Sequence, residues 1–185
     1  TGSGGVGHGI LLDDAICVPA GLTAGAWRAG TPLNGYFQSL DWRSTAQAYE
    51  GAYSVKLKPR ITSSGGYVEV CTRADAEITV TPGKPYYLSA YFRTTDSTQP
   101  LVQLGFRQYA DTNLITTNLQ AYTTAITAFG GWQRVDFTAV MSSATNKLEP
   151  FIRFKSEGEV YVDAVMVTLG SLTPLGVFYP GRAFT

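Results

Sequence analysis

The chain has 185 residues, enough for one domain with a full apolar core, so no disulfide framework is needed to hold it together. Its 14 basic and 14 acidic side chains cancel and only 15 % of residues are charged, which removes the electrostatic basis for a nucleic-acid or anionic-membrane partner. No apolar run approaches the length of a membrane span, and Cys17 and Cys71 stand far apart without a CxxC or a histidine cluster, so they read as ordinary thiols.

In chain order, the opening TGSGGVGHG (1–9) is Gly-rich and reads as a flexible lead or the end of a linker. ILLDDAICV follows as an early strand, and YFQSLDWRSTAQAY (36–49) reads as a polar, irregular connection. From residue 53 a period of two sets in. YSVKLKP (53–59), YVEVCT (67–72), AEITVTP (76–82), PYYLSAYFR (85–93), LVQLGFRQY (101–109), WQRVDFTAV (132–140), LEPFIRF (148–154) and EVYVDAVMV (159–167) each predict a strand. The separators SSGG, PGK, TTDSTQP, FGG, SSATN and KSEGE supply positive φ angles, fixed proline φ and side-chain turn bonds. Within the Thr-rich segment 112–131, ITTNLQAY is one more candidate strand with open register. No window keeps an i, i+3, i+4 apolar pattern, so the expectation is an all-β, jelly-roll β-sandwich of two antiparallel sheets over residues 10–170, followed by a Gly/Pro-rich extension, 171–185.

Alternation also sorts faces. Tyr86, Leu88, Ala90 and Phe92 are predicted to point inward, with Val102, Leu104 and Phe106, and with Val135, Phe137 and Ala139. The opposite parity exposes Tyr87, Tyr91 and Arg93 on one run and Gln103, Arg107 and Tyr109 on the next. A short loop joins the two runs, which predicts neighbouring strands sharing a face. Aromatic faces cover the C–H groups of a sugar ring and planar polar side chains reach its hydroxyls, so this set is a candidate carbohydrate platform. The same residue types dominate protein interfaces, and subunit contact is the other use. Trp42, with Tyr36 and Tyr49, either rims a groove or fills a satellite core. Trp132, after a Gly-Gly turn, reads as a core packing residue.

Catalysis has little footing. The sole histidine, His8, lies in the Gly-rich lead, away from any Ser-His or Cys-His arrangement. A two-carboxylate glycosidase would draw on Glu149, Glu157, Glu159 or Asp136, but Glu157 and Glu159 sit in the KSEGE turn, whose ordinary role is solvation, and nothing marks a pocket that raises an acid's pKa. The reading is a binding domain and not an enzyme.

EGAYSVKL (50–57), TPGKPYYLSAYFR (81–93), GGWQRVDFTAV (130–140) and YVDAVMV (161–167), in this order, resemble the jelly-roll carbohydrate-binding modules of the cellulose- and xylan-binding type, over roughly residues 25–168. In that family the Asp of the closing strand ligates a structural calcium. The resemblance implies the same for Asp163, with Glu50 and with Asp14 or Asp13; the other use of Asp163 is to cap a turn or pair with an arginine. The chain departs from the family ahead of Trp27, where no clear Asn-x-x-Phe-Glu element is found. YVDAVMVTLGSLTPLGVFYPG (161–181) is similar to the ends of such domains in minor tail and tail-tip proteins of long-tailed bacteriophages. That second resemblance implies a virion tail protein in a symmetric homo-oligomer among other virion subunits, contacting a host surface glycan. Two alternatives stand beside it: an accessory module of a secreted polysaccharide hydrolase, and a structural tail or capsid-decorating domain with no glycan ligand.

Overall fold

Wherever apolar and polar side chains alternate, the chain runs extended. A computed structural model describes residues 11–13, 16–18, 27–49, 53–73, 77–127 and 129–170. Its strands are β1 (Leu11–Asp13), β2 (Ile16–Val18), β3 (Trp27–Ala29), β4 (Gly35–Ser44), β5 (Ser54–Ile61), β6 (Val68–Thr72), β7 (Ile78–Thr79), β8 (Pro85–Thr94), β9 (Leu101–Ala110), β10 (Asn113–Leu119), β11 (Thr124–Ala125), β12 (Gln133–Val140), β13 (Lys147–Phe154) and β14 (Val160–Leu169). No helix occurs among the described residues.

The strands form a jelly-roll β-sandwich. A seven-stranded sheet has the order β10-β9-β13-β6-β3, with β11 beside β9 and β7 beside β13; a five-stranded sheet has the order β12-β8-β14-β5-β4. The pairings are antiparallel, including the β1–β2 hairpin, which lies against β14. Between the sheets sit Leu57, Leu88, Ala90, Phe92, Val102, Leu104, Phe106, Val135, Ala139, Ile152, Phe154 and Val165, with Phe137 packed against them. Each fully buried aliphatic or aromatic side chain of this kind contributes about 1.5–3 kcal/mol relative to exposure. The inward sets predicted for β8, β9 and β12 are the ones found.

Three elements differ from the sequence reading. The early strand is two, β1 and β2 in a hairpin. β4 is a ten-residue strand where an irregular connection was expected. Its alternation is interrupted by register shifts at Phe37/Ser39 and at Asp41/Ser44, which hide the period while keeping Phe37, Leu40 and Trp42 turned toward the core. Finally, β8 and β9 are not neighbours: β8 pairs with β12 and β14, and β9 with β10, β11 and β13. The loop between Thr94 and Leu101 carries the chain from one sheet to the other.

Two polar devices fix the sandwich. Gln108 points inward from β9 and is 1 % exposed. Its Nε2 donates to Asn118 Oδ1 and to Val140 O (3.3 Å), while its Oε1 accepts from Ser142 N (2.7 Å) and Thr145 Oγ1 (2.6 Å). Every polar group of the amide is thereby used, and β9 is tied to the end of β12 in the opposite sheet. The second device is Asp163, 1 % exposed, at a bulge in β14. Ala164 there adopts φ 47°, a conformation that costs a Cβ-bearing residue about 1–2 kcal/mol. Asp163 Oδ1 accepts the Ala164 N–H (2.6 Å) and Oδ2 accepts the Tyr49 N–H (2.7 Å), so the mid-strand carboxylate braces the bulge and anchors the segment after β4.

Candidate functional site

The outward side of the seven-stranded sheet carries a row of charged residues that strand register alone brings together. Glu149 lies opposite Arg107, Phe151 opposite Gly105 and Cys71, Arg153 opposite Gln103 and Glu69, and Arg28 opposite Cys71. Arg28 Nη2 reaches Glu149 Oε1 at 3.0 Å and Arg107 Nη1 reaches Glu149 Oε2 at 2.9 Å; Arg107 Nη2 also pairs with Glu69, whose Oε2 accepts from Arg153 Nε at 3.1 Å. Tyr109 OH donates to Glu149 Oε2 at 3.2 Å. Glu69 and Glu149 are buried, whereas the Arg28 side chain is 45 % exposed. Arg28 is therefore the most accessible member of the row, Arg107 and Arg153 are largely covered, and the buried carboxylates are the foundation.

Beneath the guanidinium groups lies an aromatic floor. Arg107 and Arg153 sit 4.6 and 5.1 Å from the centroid of Phe151, and Arg153 sits 3.9 Å from that of Tyr67. Phe151 fits because its cross-strand partner is Gly105: a Cβ at that position would collide with the ring. At the sheet's margin, Tyr122 is 85 % exposed. It follows Gln120, which is fastened to β9 through Gln103 Nε2 (3.0 Å, to Gln120 O) and Leu104 N (2.8 Å, to Gln120 Oε1).

The row is electrostatically settled. Burial alone would lower the Arg107 pKa, but hydrogen bonds to Glu149 and Glu69 outweigh it and raise the value further above its ordinary level. Burial, and then the Glu149 charge, push the Tyr109 phenol up to about 12. The same order of causes moves the buried free thiol of Cys71 to about 12, so this cysteine is inert. Both oxygens of Glu69 and of Glu149 accept hydrogen bonds from arginine, and neither carboxylate is placed as a proton donor to a substrate. What the face offers is a rigid array of donors over a ring.

The predicted platform is not formed as one surface. Gln103, Arg107 and Tyr109 face out of the seven-stranded sheet, whereas Tyr87, Tyr91 and Arg93 face out of the other, because β8 and β9 belong to different sheets. Tyr87 is 1 % exposed: its hydroxyl donates to Asp136 and accepts from Arg134, whose guanidinium lies 5.7 Å from the ring centroid. Gln103 is also buried. Tyr91 is stacked under Tyr49 at 3.8 Å between centroids, and Trp132 meets Tyr49 edge-on at 5.8 Å, half-buried and outside the core expected for it. Arg93 is half-buried. Trp42 is half-buried and packs against the core. Glu159, expected to be solvated, is held by Lys56, Thr95 and Tyr161, while Glu157 makes an exposed pair with Arg60.

Sequence reasoning passed over Arg28, Tyr67, Glu69, Phe151 and Arg153, and considered Glu149 only as an acid. Parity held the signal: in LEPFIRF, Glu149, Phe151 and Arg153 share one side. An apolar Phe151 on the polar parity masked it.

Of the expected calcium ligands, Glu50 and Asp14 lie outside the described residues, as does the side chain of Asp13. Asp163 is described, and both its oxygens accept backbone N–H groups. Among the described residues no three Asp, Glu, His or Cys side chains cluster in a way that could hold a metal, and no helix is long and apolar enough to cross a membrane.

No family model and no curated protein matches the chain. Solved structures do. The CBM22-1 xylan-binding domain of Paenibacillus barcinonensis Xyn10C superposes with a TM-score of 0.59 at 12 % identity, covering 94 % of this chain and 100 % of that one. The CBM22-1–CBM22-2 tandem of the same enzyme gives 0.60 at 13 %, covering 99 % of this chain and 50 % of that one. The enzymatically active domain of tailspike protein 4 from bacteriophage CBA120 gives 0.53 at 11 %, covering 79 % of this chain and 20 % of that one. At such identities the likeness is one of fold.

Proposed function

We propose that this domain binds glycan chains on the outward side of its seven-stranded sheet and does not cleave them. The observation that carries the reading is the row Arg28–Glu149–Arg107–Glu69–Arg153 laid over Phe151. Its guanidinium groups are held in place by buried carboxylates, and donors fixed in this way need little ordering when a sugar arrives. Half-buried Tyr67 and Tyr109 on the face and exposed Tyr122 at its margin supply ring surface for the C–H side of a pyranose. That similarly folded modules are xylan-binding domains supports a polysaccharide as partner.

The setting we propose is a bacteriophage tail, with the domain displayed in several copies against a host surface polysaccharide, because individually weak contacts gain from multivalency. The segment 161–181 and the tailspike neighbour support this. The second reading, an accessory module of a secreted hydrolase, is favoured by the CBM22-1–GH10 xylanase of Clostridium thermocellum, whose chain matches at a TM-score of 0.56 and 15 % identity over 85 % of this chain and 28 % of that one. The residues flanking this segment in its gene decide between the two.

Affinity electrophoresis in gels containing xylan, β-glucan or host cell-wall polysaccharide tests the binding itself. The domain is expected to be retarded by at least one polymer, and Arg28→Ala with Tyr122→Ala is expected to weaken that retardation about tenfold, equivalent to about 1.4 kcal/mol, while the variant remains fully folded at the assay temperature. A domain retarded by none of them, yet assembling on particles, would be purely structural.

Calcium belongs to the same proposal as a structural ion held by Asp163 together with Glu50 and Asp14. A ligand bound only by the folded state raises Tm, so an identical Tm in chelator and in millimolar calcium removes it.

A further inference from the structure

At the end of the five-stranded sheet, where β8 runs out and β14 begins, the surface dips into an open recess of about 400 Å³ lined by Lys58, Thr95, Asp96, Ser97, Phe129 and Glu159. Lys58 comes from β5, and Thr95, Asp96 and Ser97 come from the loop that crosses between the sheets. Glu159 immediately precedes β14, and Phe129 is fixed beside β8 by a parallel bridge to Thr94. The recess therefore rests on paired backbone.

Its chemistry is that of a prepared seat. Lys56 Nζ reaches Glu159 Oε2 at 3.0 Å, and Thr95 Oγ1 and Tyr161 OH both donate to Oε1 at 3.0 Å. Burial opposes the Glu159 charge, but these bonds outweigh it and hold the carboxyl below its usual range. Lys58 makes no ion pair among the described residues. The ring of Phe129 is 71 % exposed, an apolar face left in water at the edge of a polar hollow.

Charge decides which ligand suits it. Lys56 and Lys58 balance Asp96 and Glu159, so an ionic ligand gains little net attraction. A hydroxyl group gains from both signs, donating to a carboxylate or to Thr95 Oγ1 and accepting from an ammonium or Ser97. A saturated ring with a C–H face and a hydroxylated edge uses the phenyl face as well. We infer that this recess is a second carbohydrate site, one that takes a single neutral pyranose at a chain end or branch. Its volume lies at the small end of ligand pockets, which fits one such unit better than a polymer strand. The site is built from other residues than the Arg–Glu row and stands or falls independently of it.

Titration of the ¹⁵N-labelled protein with methyl β-xyloside, methyl β-glucoside and glucuronic acid tests the inference. A neutral glycoside is expected to shift, saturably, the amides of Thr95, Asp96, Ser97 and Phe129, more strongly than glucuronic acid does. Phe129→Ala, at an exposed position that leaves folding intact, is expected to weaken that binding about tenfold. It leaves unchanged any shifts that polysaccharide produces at Gln103, Arg107 and Glu149. The inference is overturned if no neutral glycoside moves those amides, if glucuronic acid binds the more tightly, or if Phe129→Ala and Lys58→Met both bind like the parent. Shifts confined to the Arg–Glu row would overturn this site while leaving the proposed function standing; shifts confined to the recess would do the reverse.

Discussion

The seven-stranded sheet turns Arg28, Glu69, Arg107, Glu149 and Arg153 outward as one ion-paired row, with Arg28 its most accessible member. The five-stranded sheet turns Tyr87, Ser89, Tyr91 and Asp163 outward, and other parts of the chain close over them: Arg134 lies over Tyr87, Tyr49 stacks on Tyr91, and the Tyr49 N–H binds Asp163. Both sheets obey the same two-residue alternation. What separates an open face from a second packing layer is what the chain lays across it, and that depends on tertiary contacts.

Removing the foundation of the open row gives the largest expected effect. Glu149→Ala strands Arg28, Arg107 and Tyr109 without their common acceptor, and breaking a buried ion pair in this way costs about 3–5 kcal/mol. Urea denaturation measures it; a loss below about 1 kcal/mol would mean that the row is a surface ornament of the kind exposed ion pairs usually are. On the covered face, Asp163→Ala leaves the N–H groups of Tyr49 and Ala164 without that acceptor, at about 1–3 kcal/mol for each group that stays buried and unsatisfied. Its polysaccharide retardation should match that of the parent, because Asp163 belongs to the face away from the row; lost retardation at unchanged stability would erase the distinction between the faces. The smallest effect concerns Glu159. Its folded pKa is depressed, so its contribution is fully present above the ordinary value of 4.5 and is lost as pH falls through the folded pKa. With both partners of the Lys56 pair partly exposed, the amount is below about 1 kcal/mol. Glu159→Gln should therefore lower stability slightly at pH 7 and not at all at the acid end, and a parallel offset at every pH would contradict this assignment.

The strands were legible because period-two alternation needs no knowledge of partners. β8, β9, β12, β13 and β14 lie where PYYLSAYFR, LVQLGFRQY, WQRVDFTAV, LEPFIRF and EVYVDAVMV place them, within a residue or two at the ends. β4 escaped because two register shifts break the phase between Phe37 and Ser44, and a broken phase looks like irregular chain. The site was legible by half. Arg107 and Tyr109 were found by parity, but their neighbours Glu149 and Arg153 come from β13, some forty residues later, and adjacency at that range is set by topology. The loop TTDSTQP carries turn residues that serve a hairpin and a crossing between sheets equally well. Nothing local distinguishes the two, and joining Tyr87, Tyr91 and Arg93 to Gln103, Arg107 and Tyr109 rested on that ambiguous loop.

The pairing of arginines with carboxylates across the open sheet reaches into the medium in which such a domain works. Because Glu69 and Glu149 are shielded from solvent, dissolved ions screen their attraction to the guanidinium groups far less than they screen free surface charges. A row arranged this way keeps in brine, where ordinary surface ion pairs come apart, the geometry it has in fresh water.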